Sequence, residues 1–381
     1  MRAAAAAVSD WDRLLRVAIR HRVEAMVHAA LAAAAIDMPA AVSQALTARA
    51  QRIVAGSMAT AAESVRLQTL FDGAGIPLLV LKGAALAELA YGTLAVKRSR
   101  DIDLFVAPND VDAALRLLAE RGYGLGPSMK DLMARHRRLV LRHGRELALL
   151  NPETQIVVEL RWRLVESPAL LAGVDIESAS QTVPMPAIGA VRTFQTEDLF
   201  AYLCLHGAAH GWSRLKWLAD LNALIGSADD AEILRLYRHA QARGTGICAG
   251  LALLLCHRVL GRPLPASLLR ELDRGPRLRV LAALVNDIMV GPDAVVELED
   301  RTFGTTRVAL MQFLLGGGWR NFVAQYRVMS IRLDDVVRYP LPAPLHFVYP
   351  LLRLPVWLWR RCVRESGVLL LRRSRSRRFR R

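Results

Sequence analysis

The chain has 381 residues, a length that allows about two or three domains, and 53% of its residues are hydrophobic but only 6% aromatic, which favours helices rich in alanine and leucine. A formal net charge of +16 is compatible with a nucleic acid or an anionic membrane as a partner, although seven of the charges are arginines in the last ten residues. The four cysteines have neither paired nor metal-type spacing, which argues against a disulfide framework and indicates buried thiols in a reducing compartment.

The N-terminal part of the chain predicts helices and no secretion signal. Its first apolar stretch is too short for a signal peptide, and no apolar run in the chain approaches the roughly 20 residues that cross a bilayer. Apolar residues recur at helical spacing through residues 9–72, where Ser9 or Asp10 can cap the first helix and Pro39 can open the last. We find no site chemistry here and expect a helical cover for a sheet in a cytoplasmic protein.

The stretch from residue 77 to 106 combines secondary-structure signals with chemically capable side chains. Residues 78–81 form a short apolar run that suits a buried strand. Lys82 and Gly83 interrupt this run, and the helix-forming sequence AALAELAY then ends at Gly92. The pattern predicts a strand, a glycine turn and a helix.

A second apolar strand is predicted over residues 102–106, with Asp101 and Asp103 at its N-terminal end. Because side chains two apart on a strand share a face, both carboxylates point the same way, and a hard cation such as Mg²⁺ between them would relieve their repulsion. The alternative is a solvated strand end at which Arg98 and Arg100 offset the two negative charges.

Two β-rich runs follow further along the chain. RRLVLRHGRELALL and QIVVELRWRL, at residues 137–150 and 155–164, are separated by Asn-Pro-Glu-Thr, which predicts a hairpin. On the second run Glu159 shares a face with Arg161. If this strand lies beside the one that carries Asp103, the three carboxylates converge.

Helices are predicted over most of residues 196–335, and one of them carries two histidines. His206 and His210 are four apart and therefore lie on one helical face. Gly207 stands where a zinc protease has its glutamate, which argues against that class of hydrolase. A metal site with two histidines, and histidines that pack or line a substrate cleft, are both compatible with this spacing.

The C-terminal part differs in composition from the rest. Residues 336–371 mix five prolines with tryptophan, phenylalanine, tyrosine and arginine, and the arginine-rich tail follows. Tryptophan and arginine around leucine suit a bilayer interface, which would make the protein peripheral at an anionic membrane surface. The alternative is an arm packed along the body with a disordered basic tip.

Four segments together resemble the polymerase-beta-like nucleotidyltransferase superfamily and, most closely, its family of bacterial proteins known as uncharacterised nucleotidyltransferases. They are LKGAAL, DIDLFV, VVELRWRL and LCLHGAAHGWSRLKWLADL, at residues 81–86, 101–106, 157–164 and 203–221. The resemblance covers roughly residues 60–225. It implies an α+β (mixed) fold, in which a small mixed β-sheet nucleotidyltransferase core is flanked by N-terminal and C-terminal helical regions.

On this basis we expect four regions in the chain. They are an N-terminal helical region over residues 1–65, a nucleotidyltransferase core over 66–190, a C-terminal helical domain over 191–335, and a Pro/Trp/Arg-rich arm with a basic tail over 336–381.

The resemblance also implies a site. Three carboxylates would be catalytic and would hold two Mg²⁺ ions, namely Asp101, Asp103 and Glu159. Nucleotide-binding residues would be Lys82, Gly83 and Arg98. Candidate residues for the lining of the cleft are His206, His210, Lys216 and Asp220. The chain departs from the family pattern at Ala84, where a serine is frequent, at Arg161, where histidine is more frequent, and in the longer spacing from Gly83 to Asp101.

The expected function is transfer of a nucleoside monophosphate from a nucleoside triphosphate (NTP) to an unidentified small-molecule, peptide or protein acceptor. The alternative is a catalytically inactive binding module of the same fold that holds RNA or a membrane surface. Ala84 favours this alternative, because it removes a hydroxyl that could contact a triphosphate. The net charge permits transfer to the end of a tRNA, but we do not favour nucleic acid as the partner.

Overall fold

The structure is a computed structural model that describes residues 2–165, 167–290, 294–301 and 304–330, with isolated positions from 336 to 359. Four helices come first along the chain: α1 (Arg2–Ala6), α2 (Trp11–His21), α3 (Glu24–Ala33) and α4 (Ala40–Gly73). As predicted, Asp10 caps α2, since its side chain accepts a hydrogen bond of 2.7 Å from the backbone N–H of Arg13. Pro39 immediately precedes α4, which buries Leu67 and Phe71 in the core around the sheet.

The central sheet has five strands and is mixed. Its strands are β1 (Leu79–Val80), β2 (Asp101–Phe105), β3 (Gly124–Leu125), β4 (Glu146–Leu150) and β5 (Val157–Arg161), in the spatial order β1-β2-β5-β4-β3. β2 is antiparallel to β1 but parallel to β5, and β4 and β5 form the predicted hairpin. The expected α+β fold with a small mixed sheet and helical flanks is confirmed.

Three helices connect the strands: α5 (Ala84–Tyr91), α6 (Val111–Glu120) and α7 (Pro127–His143). The strand, glycine turn and helix predicted around Gly83 are present. The β-rich prediction for residues 137–150 was only half right, because residues 137–143 belong to α7 and only the second half forms β4. Leu132 and Val140 are the buried residues of α7.

A two-stranded antiparallel sheet follows the central one. Its strands are β6 (Ser180–Met185) and β7 (Gly189–Phe194); β7 packs against α4 and β1, and β6 packs against α5. The ring of Phe194 lies 5.9 Å from that of Phe105 on β2, measured between centroids. This contact joins the two sheets to the helical core described next.

The remaining elements are helices: α8 (Thr196–Ala209), α9 (Leu215–Ile225), α10 (Asp230–Ala242), α11 (Gly246–Leu260), α12 (Ala266–Arg274), α13 (Pro276–Val290), α14 (Gly304–Met311) and α15 (Gly318–Ser330). α8 and α11 are almost entirely buried and form the centre of a second hydrophobic core. Within the described part of the chain, no helix is long and apolar enough to cross a membrane. The arm expected over residues 336–381 lies outside the described residues, apart from isolated positions.

Candidate active site

A cavity of about 450 Å³ lies where β2, β5, the start of α5, α8, α9 and the turn between α2 and α3 meet. All ten residues singled out from the sequence line it: Lys82, Gly83, Arg98, Asp101, Asp103, Glu159, His206, His210, Lys216 and Asp220. The structure thus brings together side chains from β2, β5, α8, α9 and the loops beside them.

The three predicted carboxylates converge at one end of this cavity. β2 and β5 are adjacent and parallel, with Asp103 opposite Glu159, so both side chains leave the same face of the sheet. Asp101 lies two residues before Asp103 on β2 and therefore shares this face. One oxygen from each carboxylate lies within 4.8 Å of the others. Three hard oxygen donors at this separation fit a divalent cation such as Mg²⁺.

Asp103 is neutralised by two cations of the chain itself. Its Oδ1 atom lies 3.0 Å from Lys82 Nζ and 3.0 Å from Arg161 Nε, and its side chain is only 2% exposed. Burial alone would raise the pKa of Asp103, but the charges of Lys82 and Arg161 outweigh it and lower the pKa. Arg161 also pairs with Glu159 and Glu146, so a metal ion must compete with this guanidinium for its ligands.

Glu159 behaves in the opposite way. Burial, and then the nearby charge of Asp103, raise its pKa above the usual range of a glutamate. Two neighbouring carboxylates whose pKa values are pushed apart can take different roles, one ionised throughout and one able to hold a proton.

The turn between β1 and α5 lies beside the carboxylates. Gly83 has φ of +63° and ψ of −123°, a backbone conformation that residues other than glycine rarely adopt. A Cβ atom at this position would lie 3.1 Å from Ser99 Oγ. Ala84 is fully buried, so the position where the family often has serine is packed here. Burial lowers the pKa of Lys82, but the charge of Asp103, the hydrogen bond to it and the neighbouring Tyr202 together outweigh burial and raise the pKa, so the ammonium stays charged.

Asp220 lines the cavity but is held by two donors. Its carboxylate accepts hydrogen bonds from Lys97 Nζ at 2.6 Å and from the Tyr91 hydroxyl at 3.0 Å. These contacts tie α5 and the loop before β2 to α9. Asp220 therefore organises the wall on which Lys216 stands.

The two predicted histidines form an aromatic cluster with Trp217. The ring of His210 is stacked on that of Trp217, with centroids 5.0 Å apart, and lies 4.7 Å from the ring of His206. Burial, and then the charge of Lys82, lower the pKa of His210 to about 3 and that of His206 well below its usual range. Both imidazoles are therefore neutral at physiological pH, and each can donate and accept a hydrogen bond.

Sequence reasoning assigned only a covering role to residues 9–72 and missed one wall of the cavity. The turn between α2 and α3 contributes Arg20 and Arg22 to the lining, and Glu24 pairs with Arg98 at 3.1 Å. His21 Nδ1 accepts a hydrogen bond of 3.0 Å from the backbone N–H of Leu215. The only sequence feature that could have indicated this wall was RHRVE, at residues 20–24, in which three basic residues are followed closely by a glutamate.

Arg214 and His21 connect this wall to other segments of the chain. Arg214 donates to the backbone oxygen of Arg20 at 2.6 Å and pairs with Glu297 at 2.9 Å. Burial, and then the charge of Arg20, lower the pKa of His21 to about 4, so the imidazole is neutral and its Nδ1 can accept the hydrogen bond from Leu215.

Comparison with known proteins adds the family. A search of curated proteins returned no match. Residues 7–261 match the model of a family described as "Uncharacterised nucleotidyltransferase", a range that includes the five-stranded sheet, the three carboxylates and the turn between α2 and α3. The match supports a role in nucleotidyl transfer. The chain therefore belongs to this family of nucleotidyltransferases.

Proposed function

We propose that the protein transfers a nucleoside monophosphate from an NTP to an acceptor within this cavity, with the help of Mg²⁺. The observation that carries the proposal is the convergence of Asp101, Asp103 and Glu159, whose oxygens lie within 4.8 Å of one another beside a glycine turn at a helix start. Carboxylates held this close repel one another, and a divalent cation bound between them relieves the repulsion.

Each residue would have a distinct role. The three carboxylates would hold Mg²⁺, which when bound polarises the α-phosphate and neutralises the leaving pyrophosphate. Glu159, as one of these ligands, would lie beside the attacking hydroxyl and would accept its proton. Lys82 keeps its charge and would hold a phosphate oxygen, and the turn at Gly83 lets the backbone approach the triphosphate. Arg98, fixed by Glu24, would orient the nucleotide.

The cavity also bears on the acceptor. A volume of about 450 Å³ lies in the range of small-molecule sites and favours a small molecule, or the protruding end of a larger one, over a folded surface. The neutral imidazoles of His206 and His210 and the ring of Trp217 would offer hydrogen bonds and a stacking surface to it.

A second candidate function is nucleotide binding without turnover. The observation that favours it is the ion pairing of Asp103 with Lys82 and Arg161, which neutralises this carboxylate without any metal. Ala84, which offers no hydroxyl to a triphosphate, points the same way.

Incubation of the full chain with α-phosphate-labelled NTPs, Mg²⁺ and a small-molecule extract separates the two functions. We expect the wild-type protein to transfer label. Asp101→Asn or Asp103→Asn should lower the rate of transfer at least about a hundredfold, since each substitution removes a metal ligand. Asp131→Asn, at an exposed position of α7, is the matched control and should transfer label at the wild-type rate. Nucleotide binding with no transfer by the wild-type protein, under any NTP, would establish the second function instead.

A further inference from the structure

The cations that line the cavity fall into two groups. Seven have an acidic partner at salt-bridge distance: Arg20, Lys82, Lys97, Arg98, Arg145, Arg161 and Arg214. Arg22 and Lys216 line the same cavity, and neither has an acidic partner within 4.0 Å among the residues that the structure describes.

The fold joins the two chain segments that carry these cations. The hydrogen bond from the backbone N–H of Leu215 to His21 joins the end of α2 to the start of α9. Arg22 and Lys216 are the residues that directly follow His21 and Leu215. A second link, from Arg214 Nη1 to the backbone oxygen of Arg20, fixes the same two segments on the other side.

Arg22 also adopts an unusual backbone conformation. Its φ of 57° and ψ of 41° are left-handed, and its backbone N–H donates to the carbonyl oxygens of Ala18 and Ile19 to close α2. Helices commonly end in this way at glycine, and a long cationic residue there is uncommon. Such strain is tolerated at sites where the side chain has a role.

The electrostatics agree with this geometry. Burial, and then the charge of Lys97, lower the pKa of Lys216 to about 7, with a further contribution from Arg22. Burial, and then the charges of Arg214 and Arg98, lower the pKa of Arg22. The charge of Arg22 therefore acts on Lys216, and an anion bound near both would relieve this repulsion.

We propose that Arg22 and Lys216 form a second anion subsite of the cavity, separate from the turn at Lys82 and Gly83, and that it binds a phosphate group. A planar guanidinium beside an ammonium matches the oxygens of a phosphate, one bidentate and one by point charge. The identity of the molecule that carries the phosphate rests on the proposed function: it is either the end of the triphosphate or a phosphate on the acceptor.

Binding of inorganic phosphate to the full chain, measured by calorimetry without divalent metal, tests the subsite. We expect Arg22→Asn and Lys216→Met each to weaken binding at least about tenfold, as loss of one charge-assisted hydrogen bond predicts. Asparagine tolerates the left-handed conformation, so the first variant should fold. Arg13→Asn and Lys130→Met, both at exposed positions, are the matched controls and should bind as the wild type. Equal affinity in all five proteins would overturn the subsite.

The source of the phosphate is found with a non-hydrolysable NTP analogue. If the subsite takes the end of the triphosphate, a saturating concentration of the analogue displaces inorganic phosphate. The two substitutions then weaken the binding of the NTP analogue but not that of a nucleoside monophosphate. If it takes an acceptor phosphate, inorganic phosphate still binds in the presence of the analogue.

This test is independent of turnover. Phosphate binding that requires Arg22 and Lys216, in a protein that transfers no label, would refute the proposed function and leave the subsite. If the protein transfers label but neither substitution changes its affinity for phosphate, the subsite is refuted and the proposed function stands.

Discussion

At the scale of single residues, the site is defined by how its charges are shared. Asp103 is fully buried and keeps its charge because Lys82 and Arg161 are both 3.0 Å away. Removing either cation would leave a buried carboxylate undercompensated, whereas removing Asp103 would leave two cations near each other. The carboxylates and their cations therefore form one unit, and single substitutions within it cannot be expected to add.

Lys216 gives a prediction on pH. Its pKa is lowered to about 7, by burial first and by Lys97 and Arg22, against the opposing charges of Asp220 and Asp101. At pH 8 the amine is therefore mostly neutral, and a bound phosphate should return its proton, because a nearby negative charge raises the pKa of a lysine.

We accordingly expect the binding of inorganic phosphate at pH 8 to be accompanied by proton uptake at Lys216, and this uptake shrinks toward pH 6, where Lys216 is already charged. Calorimetry in two buffers of different ionisation enthalpy measures the uptake. Lys216→Met should remove this part of it, and Lys130→Met should not. If the wild type and Lys216→Met take up the same number of protons, Lys216 does not contact the phosphate.

At the scale of elements, the turn between β1 and α5 determines where the helix begins relative to the carboxylates. Gly83 and Gly92, at the two ends of α5, both have φ of +63°. They differ in their surroundings, since a Cβ atom at Gly83 would lie 3.1 Å from Ser99 Oγ, whereas nothing lies within 4 Å of one at Gly92. The two glycines therefore form a matched pair for substitution.

We predict that Gly92→Ala lowers the free energy of unfolding by about 1 kcal/mol, and Gly83→Ala by about 2–3 kcal/mol, because ψ at Gly83 is less favourable for alanine and Ser99 is close. Only Gly83→Ala should also weaken NTP binding. Denaturant unfolding and calorimetry give the two quantities. Equal losses of stability in the two variants would show that an alanine Cβ atom at position 83 is not strained by Ser99.

The elements also show what local sequence patterns can and cannot reveal. β2, β5 and the hairpin with β4 were predictable, because strand alternation and turn residues are local signals. Residues 137–143 were predicted as β-rich because a run of leucine, valine and arginine suits either structure. In the fold they continue α7, on which Val140 is buried in the core around the sheet.

Contacts between distant segments were the larger gap. That Asp103 and Glu159 share a face required only that their strands be neighbours, and this was stated as a condition from the sequence. The wall with Arg20 and Arg22 depends on hydrogen bonds to residues nearly two hundred positions away, which no periodicity within α2 encodes. The role of Arg161 as a partner of Asp103, Glu146 and Glu159 was likewise visible only in the folded chain.

At the scale of the whole molecule, two hydrophobic cores meet beside the cavity. One surrounds the five-stranded sheet, and the other is built mainly from α8 to α13. Residues 79, 81 and 105 of the sheet belong to the second core, so the helical part is packed directly against the strands that carry the site. The division of the chain at residues 65, 190 and 335 remains a prediction.

The charge of the whole chain leads to a prediction for the C-terminal tail. Seven arginines in the last ten residues would be attracted to anionic lipid by about 1 kcal/mol each near the surface. We expect deletion of residues 372–381 to reduce retention on vesicles that contain phosphatidylserine, and more so at low salt.

Cosedimentation with vesicles measures this retention. A chain of unchanged length, with the seven arginines replaced by glutamine, should behave like the deletion, and vesicles of neutral lipid should retain none of the proteins. Unchanged retention of the deleted chain on anionic vesicles would rule out the tail as an anchor.

The hydrogen bond between His21 and Leu215 has a consequence for the balance between two competing reactions. It joins the end of α2 to the start of α9, two segments 194 positions apart in the chain, and both segments contribute residues to the lining of the cavity. In a transferase, water is the competing acceptor, and an enclosed site disfavours it. The N-terminal helices would then govern how much NTP is lost to hydrolysis, even though the groups that activate the phosphate all lie elsewhere.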